Sequence, residues 1–372
     1  MTTKKELIEK YCSVTPLSEE LKDDRRPIVL YGTGNGADKI IRYLESLGRT
    51  PDAVFASDGF VRDRSFAGFP VETFDAVSAR YGKDMKILMC FGSDREEVLG
   101  AVERLDSEYD LALPDVPLYG DGIFNKEYLY SRADELFEVR AMLSDEPSRK
   151  LFDDTIMYRL TGKYRFLLRT QSPEATYREL FEGIKVECAV DCGAYRGDTA
   201  RLFEKVFPDC RRIYALEPDR GTFKRLELAG DEISLESGID VVTLNFAISD
   251  AAGIAEFSSS SSRGAGVEGT NRRSKRKTVE KVTLDSLALE SPDFIKLDVE
   301  GDEERALAGA KRLLSEHSPS LAVSLYHRTD DIRRLPLLIK KASAAYGSMK
   351  YYLRRPRCVP AWDLTLYAVR EK

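Results

Sequence analysis

The sequence predicts an α/β protein: two Rossmann-like units of alternating strands and helices, joined by a helical connector. Three observations support this. At 372 residues the chain is long for one hydrophobic core, so two units are the default. Short β-rich runs alternate with amphipathic helices from Pro27 onward and again from Val186, the pattern that gives parallel sheets. From Pro114 to Gly183 the β-rich runs stop while aromatic and aliphatic residues continue at helical spacing. The expected organisation is residues 1–113, 114–183 and 184–372.

In the first unit, "MTTKKELIEKYC" has the period of a short amphipathic helix, with no apolar core after its lysines to make a secretory signal. "PIVLYG" is a strand ending in glycine. "ADKIIRYLESLG" follows with Ile40, Ile41, Leu44 and Leu47 at helical spacing and Gly48 as C-cap. "DAVFASD" and "KILMCFGSD" are further strands, and "REEVLGAVERL" is a helix. The connector carries capping serines at Ser144 and Ser172. In the last unit, "VECAVD", "RRIYALE", "DVVTLNFAISD", "DFIKLDV" and "SLAVSLYH" are strands separated by helices. "GIAEFSS" and "KTVEKVTL" form an antiparallel pair, and "KYYLRR" with "DLTLYAVR" a terminal hairpin. "DDIRRLPLLIKKASAAYG" is helical, with Pro336 expected to kink it.

Composition narrows the functions. A hydrophobic share of 42%, a charged share of 32% and a net charge of −6 describe an ordinary globular chain with no pull toward nucleic acid or an anionic membrane. No run approaches the roughly 20 apolar residues that span a bilayer. Six cysteines without a CxxC pair, and only two histidines, argue against zinc and for a reducing, cytoplasmic setting. The oligomeric state is left open.

Two glycine turns could hold a nucleotide. The first, "YGTGNGA", reads G-x-G-x-x-A through Gly32, Gly34 and Ala37, with Gly36 in addition, between a strand and a helix. Asp58, past the next strand, could accept ribose hydroxyls. That pattern suits a dinucleotide or sugar nucleotide as well as a purely structural turn. The second, "VDCGAYRGDT", reads D-x-G-x-x-x-G through Asp191, Gly193 and Gly197. Its wide spacing leaves room for a ligand without a pyrophosphate, and S-adenosylmethionine is such a ligand. Asp191 ends one strand near the ligand's cationic end. Glu217, in "YALEPD", ends the next, where a carboxylate can accept from both ribose hydroxyls.

"VDCGAYRGDT", "IYALEPD", "NFAISD", "VTLDSL", "DFIKLDVEGDEERALAGA" and "SLYH" occur in an order that resembles the FkbM family of S-adenosylmethionine-dependent methyltransferases, over roughly Val186 to Val369. The resemblance implies a class I methyltransferase fold with a seven-stranded sheet. It implies S-adenosyl-L-methionine as cofactor, with Asp191, Gly193, Ala194 and Gly197 at the methionine end, Glu217 and Pro218 at the ribose, and Ala247 to Asp250 beside the adenine. The N-terminal unit is similar to small domains attached to sugar-modifying enzymes, so the implied acceptor is a hydroxyl of a small molecule, sugar or glycan precursor. The alternatives are an enzyme working on NAD(P) or a sugar nucleotide from the first turn, and a non-catalytic binding module.

Strand-end residues supply the chemistry. Asp298 and Glu300 end "DFIKLDV", and Tyr326 and His327 end "SLAVSLYH". His327 is the natural general base, since imidazole titrates near neutrality. Mg²⁺ held by Asp298 and Glu300 is the competing arrangement, and the expectation is that no metal is needed. Asp302, Glu303 and Glu304 are read as acids favouring the N-terminus of the next helix. "FSSSSSRGAGVEGTNRRSKRKTVE", with five serines in a row and five basic residues from Arg272 to Lys277, is expected to be a long loop, suited to close over an anionic acceptor.

Overall fold

The computed structural model describes residues 3–61, 65–120, 122–259, 275–343 and 348–371. Its N-terminal sheet contains β1 (Ile28–Tyr31), β2 (Ala53–Phe55), β3 (Ser65–Phe66), β4 (Phe69–Glu72), β5 (Lys86–Met89) and β6 (Asp110–Ala112), in the order β3-β4-β2-β1-β5-β6. Apart from the antiparallel β3–β4 pair the strands run parallel. The order reverses between β1 and β5, which opens a crevice at their C-terminal ends. β3, β4 and β6 were not anticipated; at two to four residues they are too short to show a period.

The C-terminal sheet contains β7 (Cys188–Cys192), β8 (Arg212–Leu216), β9 (Asp240–Leu244), a short β10 (Ala247–Ile248), β11 (Gly253–Ser259) and β12 (Lys275–Val282) in a side sheet, then β13 (Phe294–Leu297), β14 (Ser320–Ser324), β15 (Met349–Arg354) and β16 (Thr365–Arg370). The main order, β15-β16-β14-β13-β7-β8-β9, is the expected seven-stranded sheet closed by an antiparallel hairpin. "DVVTLNFAISD" is split: β10 leaves the main sheet to pair with β12, while β11 pairs antiparallel with β12 as expected. Residues 260–274, where the mobile loop was expected, lie outside the described residues.

Helix Glu146–Thr161 binds the two halves together. Its Phe152 and Ile156 sit in the core beneath the C-terminal sheet, while Tyr158 packs with Val29 and Ile87 in the N-terminal core. Burial on all sides explains why this helix has no clean apolar stripe. The first helix, Lys4–Cys12, also departs from the expected division. Its Leu7 and Tyr11 join the C-terminal core, and the Tyr11 hydroxyl donates to Asp153 Oδ1 at 2.5 Å.

Ser172 caps helix Pro173–Leu180 as expected, but Ser144 caps nothing. Asp145 takes the cap of the long helix by accepting from Ser148 N, and Ser144 Oγ accepts from Tyr351 N, tying the connector to β15. Helix Asp331–Ser343 continues through Pro336. Among the described residues no helix is long and apolar enough to cross a membrane.

Candidate active site

β7 and β13 are paired neighbours in the sheet, and the turn that follows β7 passes against the end of β13. A Cβ added at Gly193 (φ +87°) would lie 2.0 Å from Asp298 O, so only glycine allows the two strand ends to meet. The Gly193 and Ala194 amides both donate to Leu216 O, at 3.0 and 2.9 Å, fixing the β7 turn against β8. Gly197 (φ +91°) starts helix Asp198–Val206, tight against Ala229.

A cleft of about 560 Å³ opens over these ends. Gly193, Ala194, Glu217, Pro218 and Ala247 line it from the expected cofactor set, and Asp298, Glu300 and Tyr326 from the expected catalytic set. Three cofactor expectations need correction. Asp191 is wholly buried inside the sheet, 3.2 Å from Lys296 Nζ, so the lysine faces the cleft in its place. Gly197 serves the helix start, and Asp250 is exposed outside the lining.

Glu217 is 7% exposed and accepts from Asp219 N at 2.8 Å. Burial pushes its carboxyl up to about 7, against the lowering effect of the hydrogen bond from the Asp219 backbone amide. Asp219 caps helix Arg220–Ser237 and pairs with Lys277 of β12 at 2.6 Å. The side sheet is thereby anchored at the cleft edge. Asn245 Nδ2 donates to Glu217 O and Pro218 O, holding the β8 turn in shape.

At the β13 end, Asp298 Oδ1 accepts from Ser324 Oγ at 2.8 Å and Tyr326 OH at 3.1 Å, while its Oδ2 lies 3.5 Å from Lys296 Nζ. Burial alone would raise the Asp298 carboxyl; Lys296 and His327 outweigh it and hold the group below the usual carboxylate range. Glu300 has φ +56°, a left-handed backbone rarely adopted by such a side chain and typical of functional turns. Tyr119, from the connector, donates to Glu300 Oε2 at 3.2 Å.

His327 is not where a general base belongs. It is 0% exposed and outside the cleft lining, beneath Asp298 and Glu300. Its Nδ1 is 2.9 Å from Glu303 Oε1; its Nε2 is 3.4 Å from Glu300 Oε2 and 3.7 Å from Asp298 Oδ1. Burial disfavours its charge, but the surrounding carboxylates, led by Glu303, raise its pKa well above the usual value. Buried outside the lining, with carboxylates facing both ring nitrogens, it has no open edge from which to take a proton from an acceptor. Glu303, read from sequence as a helix-favouring acid, is 1% exposed and accepts from Val299 N and Gly301 N at 3.0 and 3.3 Å.

The sequence reading also missed the cleft's outer wall. Asp94 from the N-terminal half, Pro173 and Tyr177 from the connector, and Arg357 and Asp363 from the terminal hairpin complete it. No local motif announces these residues: Asp94 and Arg357 are brought near each other by the bridge between Ser93 and Val359, and Tyr177 packs against Phe294 and Tyr367 of the C-terminal sheet. Lys296 did carry a signal: a lysine inside an apolar strand needs a buried acid.

The first glycine turn faces a second cleft, of about 510 Å³, lined by Gly34, Gly36, Lys39 and Trp362 among others, with Asp94 common to both clefts. Gly32 lies outside that lining, under the Phe91 ring, and Asp58 stands in the short 3-10 turn Asp58–Phe60 after β2.

Residues 191–348 match the family model described as the Methyltransferase FkbM domain. Over its whole fold the chain is similar to the methyltransferase FkbM from Methylobacillus flagellatus KT: 17% identity, a TM-score of 0.68, and coverage of 98% of this chain and 100% of that one. An rRNA methylase from Streptococcus thermophilus is 11% identical over 54% of this chain and 98% of its own, at a TM-score of 0.33. Fibrillarin from Aeropyrum pernix is 14% identical over 53% and 73%, at 0.32. No curated protein matches the sequence. Residues 191–348, the stretch that matches this family model, supply most of the seven-stranded sheet and much of the cleft at its strand ends.

Proposed function

We propose that this protein transfers a methyl group from S-adenosylmethionine to a hydroxyl of a sugar or glycan precursor. The observation that carries the cofactor is Glu217: a buried carboxylate at the β8 tip, facing a cleft whose adjoining wall is the Gly193–Ala194 turn. Two ribose hydroxyls would give it two charge-assisted hydrogen bonds. The methionine end then lies along Gly193 and Ala194, and the adenine beside Ala247 and Ile248.

The sulfonium methyl is directed toward the β13 end, where Asp298, Glu300 and Tyr326 line the cleft. The acceptor oxygen forms the new O–CH₃ bond as the C–S bond breaks. The electron pair stays on sulfur, leaving S-adenosylhomocysteine, and the hydroxyl proton passes to a carboxylate of Asp298 or Glu300. Asp94, Arg357 and Asp363 supply polar groups at the outer wall, which suits a polyhydroxylated acceptor.

A second reading is favoured by the cleft at the first glycine turn. It gives the N-terminal half a site for a nucleotide attached to the acceptor, and Asp94 adjoins both clefts. Calorimetric titration with S-adenosylhomocysteine, NAD and a sugar nucleotide separates these readings. S-adenosylhomocysteine binding is required by the first, and its absence refutes it.

A further inference from the structure

The floor of the cleft contains a buried imidazole surrounded by acids. His327 is 0% exposed, and among the described residues neither ring nitrogen has an aligned hydrogen-bond partner. A buried polar group normally finds such partners, so two unaligned nitrogens in one ring require an explanation. The nitrogens nevertheless point at carboxylates: Nδ1 at Glu303, and Nε2 at both Asp298 and Glu300. Donor atoms of Asp298, Glu303 and His327 all lie within 4.8 Å of one another.

We infer that His327 Nε2, Asp298 Oδ1 and Glu300 Oε2 form a site for one divalent cation of the Mg²⁺ or Mn²⁺ class, with Glu303 orienting the imidazole. Two donors each about 2.1 Å from one ion stand about 3 to 4 Å apart, depending on the angle between them. The distances from Nε2 to the two carboxylates, 3.4 and 3.7 Å, fall within that span. Oxygen donors with a single imidazole suit these ions better than a thiolate-seeking metal.

The surroundings match those of a metal ligand set. A ligating histidine usually directs its other ring nitrogen at a carboxylate, and Glu303, itself fixed by two backbone amides, is that carboxylate. Ser324 and Tyr326 donate to Asp298 Oδ1 and Tyr119 to Glu300 Oε2, which fixes both carboxylates in place. The left-handed backbone at Glu300 turns this carboxylate toward the imidazole. By contrast, the acids Glu20 and Asp110 near the N-terminal sheet converge on Lys86, a protein cation that already fills their centre.

Asp298 and Glu300 line the cleft, so the ion would present its remaining positions to the acceptor hydroxyl and lower its pKa. That role rests on the methyl-transfer reading; the binding of the ion does not. The test is Mn²⁺ binding to chelator-treated full-length protein, followed by electron paramagnetic resonance without cofactor, beside calorimetry with S-adenosylhomocysteine. One saturable Mn²⁺ is expected in the wild type. Glu300→Gln, a cleft-facing change that leaves the core untouched, should weaken it at least tenfold, and Glu303→Gln about 10–100-fold. Glu217→Gln should keep Mn²⁺ while losing S-adenosylhomocysteine. No saturable Mn²⁺ in the wild type, or full affinity in Glu300→Gln, overturns the metal site. Failure of the wild type to bind S-adenosylhomocysteine while Mn²⁺ binds as expected overturns the cofactor reading and leaves the metal site standing.

Discussion

Glu217 offers the most quantitative test, because burial gives it an unusual proton affinity. In the ligand-free protein its carboxyl titrates at about 7, against an ordinary value of 4.5. The folded state therefore holds the proton more tightly than the unfolded chain. This group's contribution to stability is complete below pH 4.5 and is lost as pH rises through 7, by about 3 kcal/mol for the full shift. Ribose hydroxyls donate only to lone pairs, so they favour the ionised form and return the pKa toward its ordinary value. Binding of S-adenosylhomocysteine should then expel a proton near neutrality. With free and bound values of about 7 and 4.5, affinity should fall about 40-fold between pH 7 and pH 5. Calorimetry on chelator-treated protein, in buffers of differing ionisation enthalpy, reads both the affinity and the proton. Glu217→Gln should bind weakly at pH 7 and show neither effect. A wild-type affinity that is flat from pH 5 to 7, or a Glu217→Gln variant that binds like wild type, refutes the ribose assignment.

Gly34→Val should leave S-adenosylhomocysteine affinity unchanged, because that residue lines only the N-terminal cleft; calorimetry checks this, and a methylation assay then shows whether the turn serves the acceptor. A Cβ at Gly92 would lie 2.0 Å from the Trp362 ring, so Gly92→Ala should destabilise by about 1–3 kcal/mol in urea unfolding, and an unchanged midpoint would deny the close contact. Lys86→Met removes the wholly buried cation between Glu20 and Asp110. Asp110 keeps Arg26 and Lys163, so the expected loss is about 3 kcal/mol, the low end for breaking a buried pair, read by the same unfolding experiment.

The alternation of strands and helices was legible because each long strand of the C-terminal sheet is an apolar run bounded by turn residues. The seven-stranded sheet was expected from the resemblance to the FkbM family, with which the terminal hairpin agrees, and its strand order is visible only in the fold. Glu217 was legible from the alternation, as an acid placed where a parallel strand must end. What escaped depended on tertiary neighbours. Asp191 and Glu217 look alike in sequence, each an acid near a strand end. Asp191, however, lies within β7 and is directly paired with Ala215 of β8 and Lys296 of β13, so the sheet buries it. Glu217 stands one residue beyond β8 and reaches the cleft. A difference of one or two positions relative to the strand end separates an internal ion-pair partner from a cleft-lining carboxyl, and no composition or period records it.

The same logic changes the role of His327. In the sequence it is a titratable ring at a strand end, and nothing there distinguishes a base from a fixed cation or a ligand. The distinction comes from Glu303, four residues beyond the β13 tip region at Val299, whose carboxylate is turned inward by two backbone amides. An acid at a helix start usually faces solvent, where it favours the helix dipole. Here the left-handed residues Glu300 and Gly301 fold the turn back on itself, and the side chain enters the floor of the cleft. The strained turn thus accomplishes two things with one backbone conformation: it brings Glu300 over the imidazole and Glu303 under it. A histidine held between acids on both ring nitrogens is poorly suited to exchange protons with a substrate and well suited to stay in one orientation, which is the property a ligand needs and a base does not.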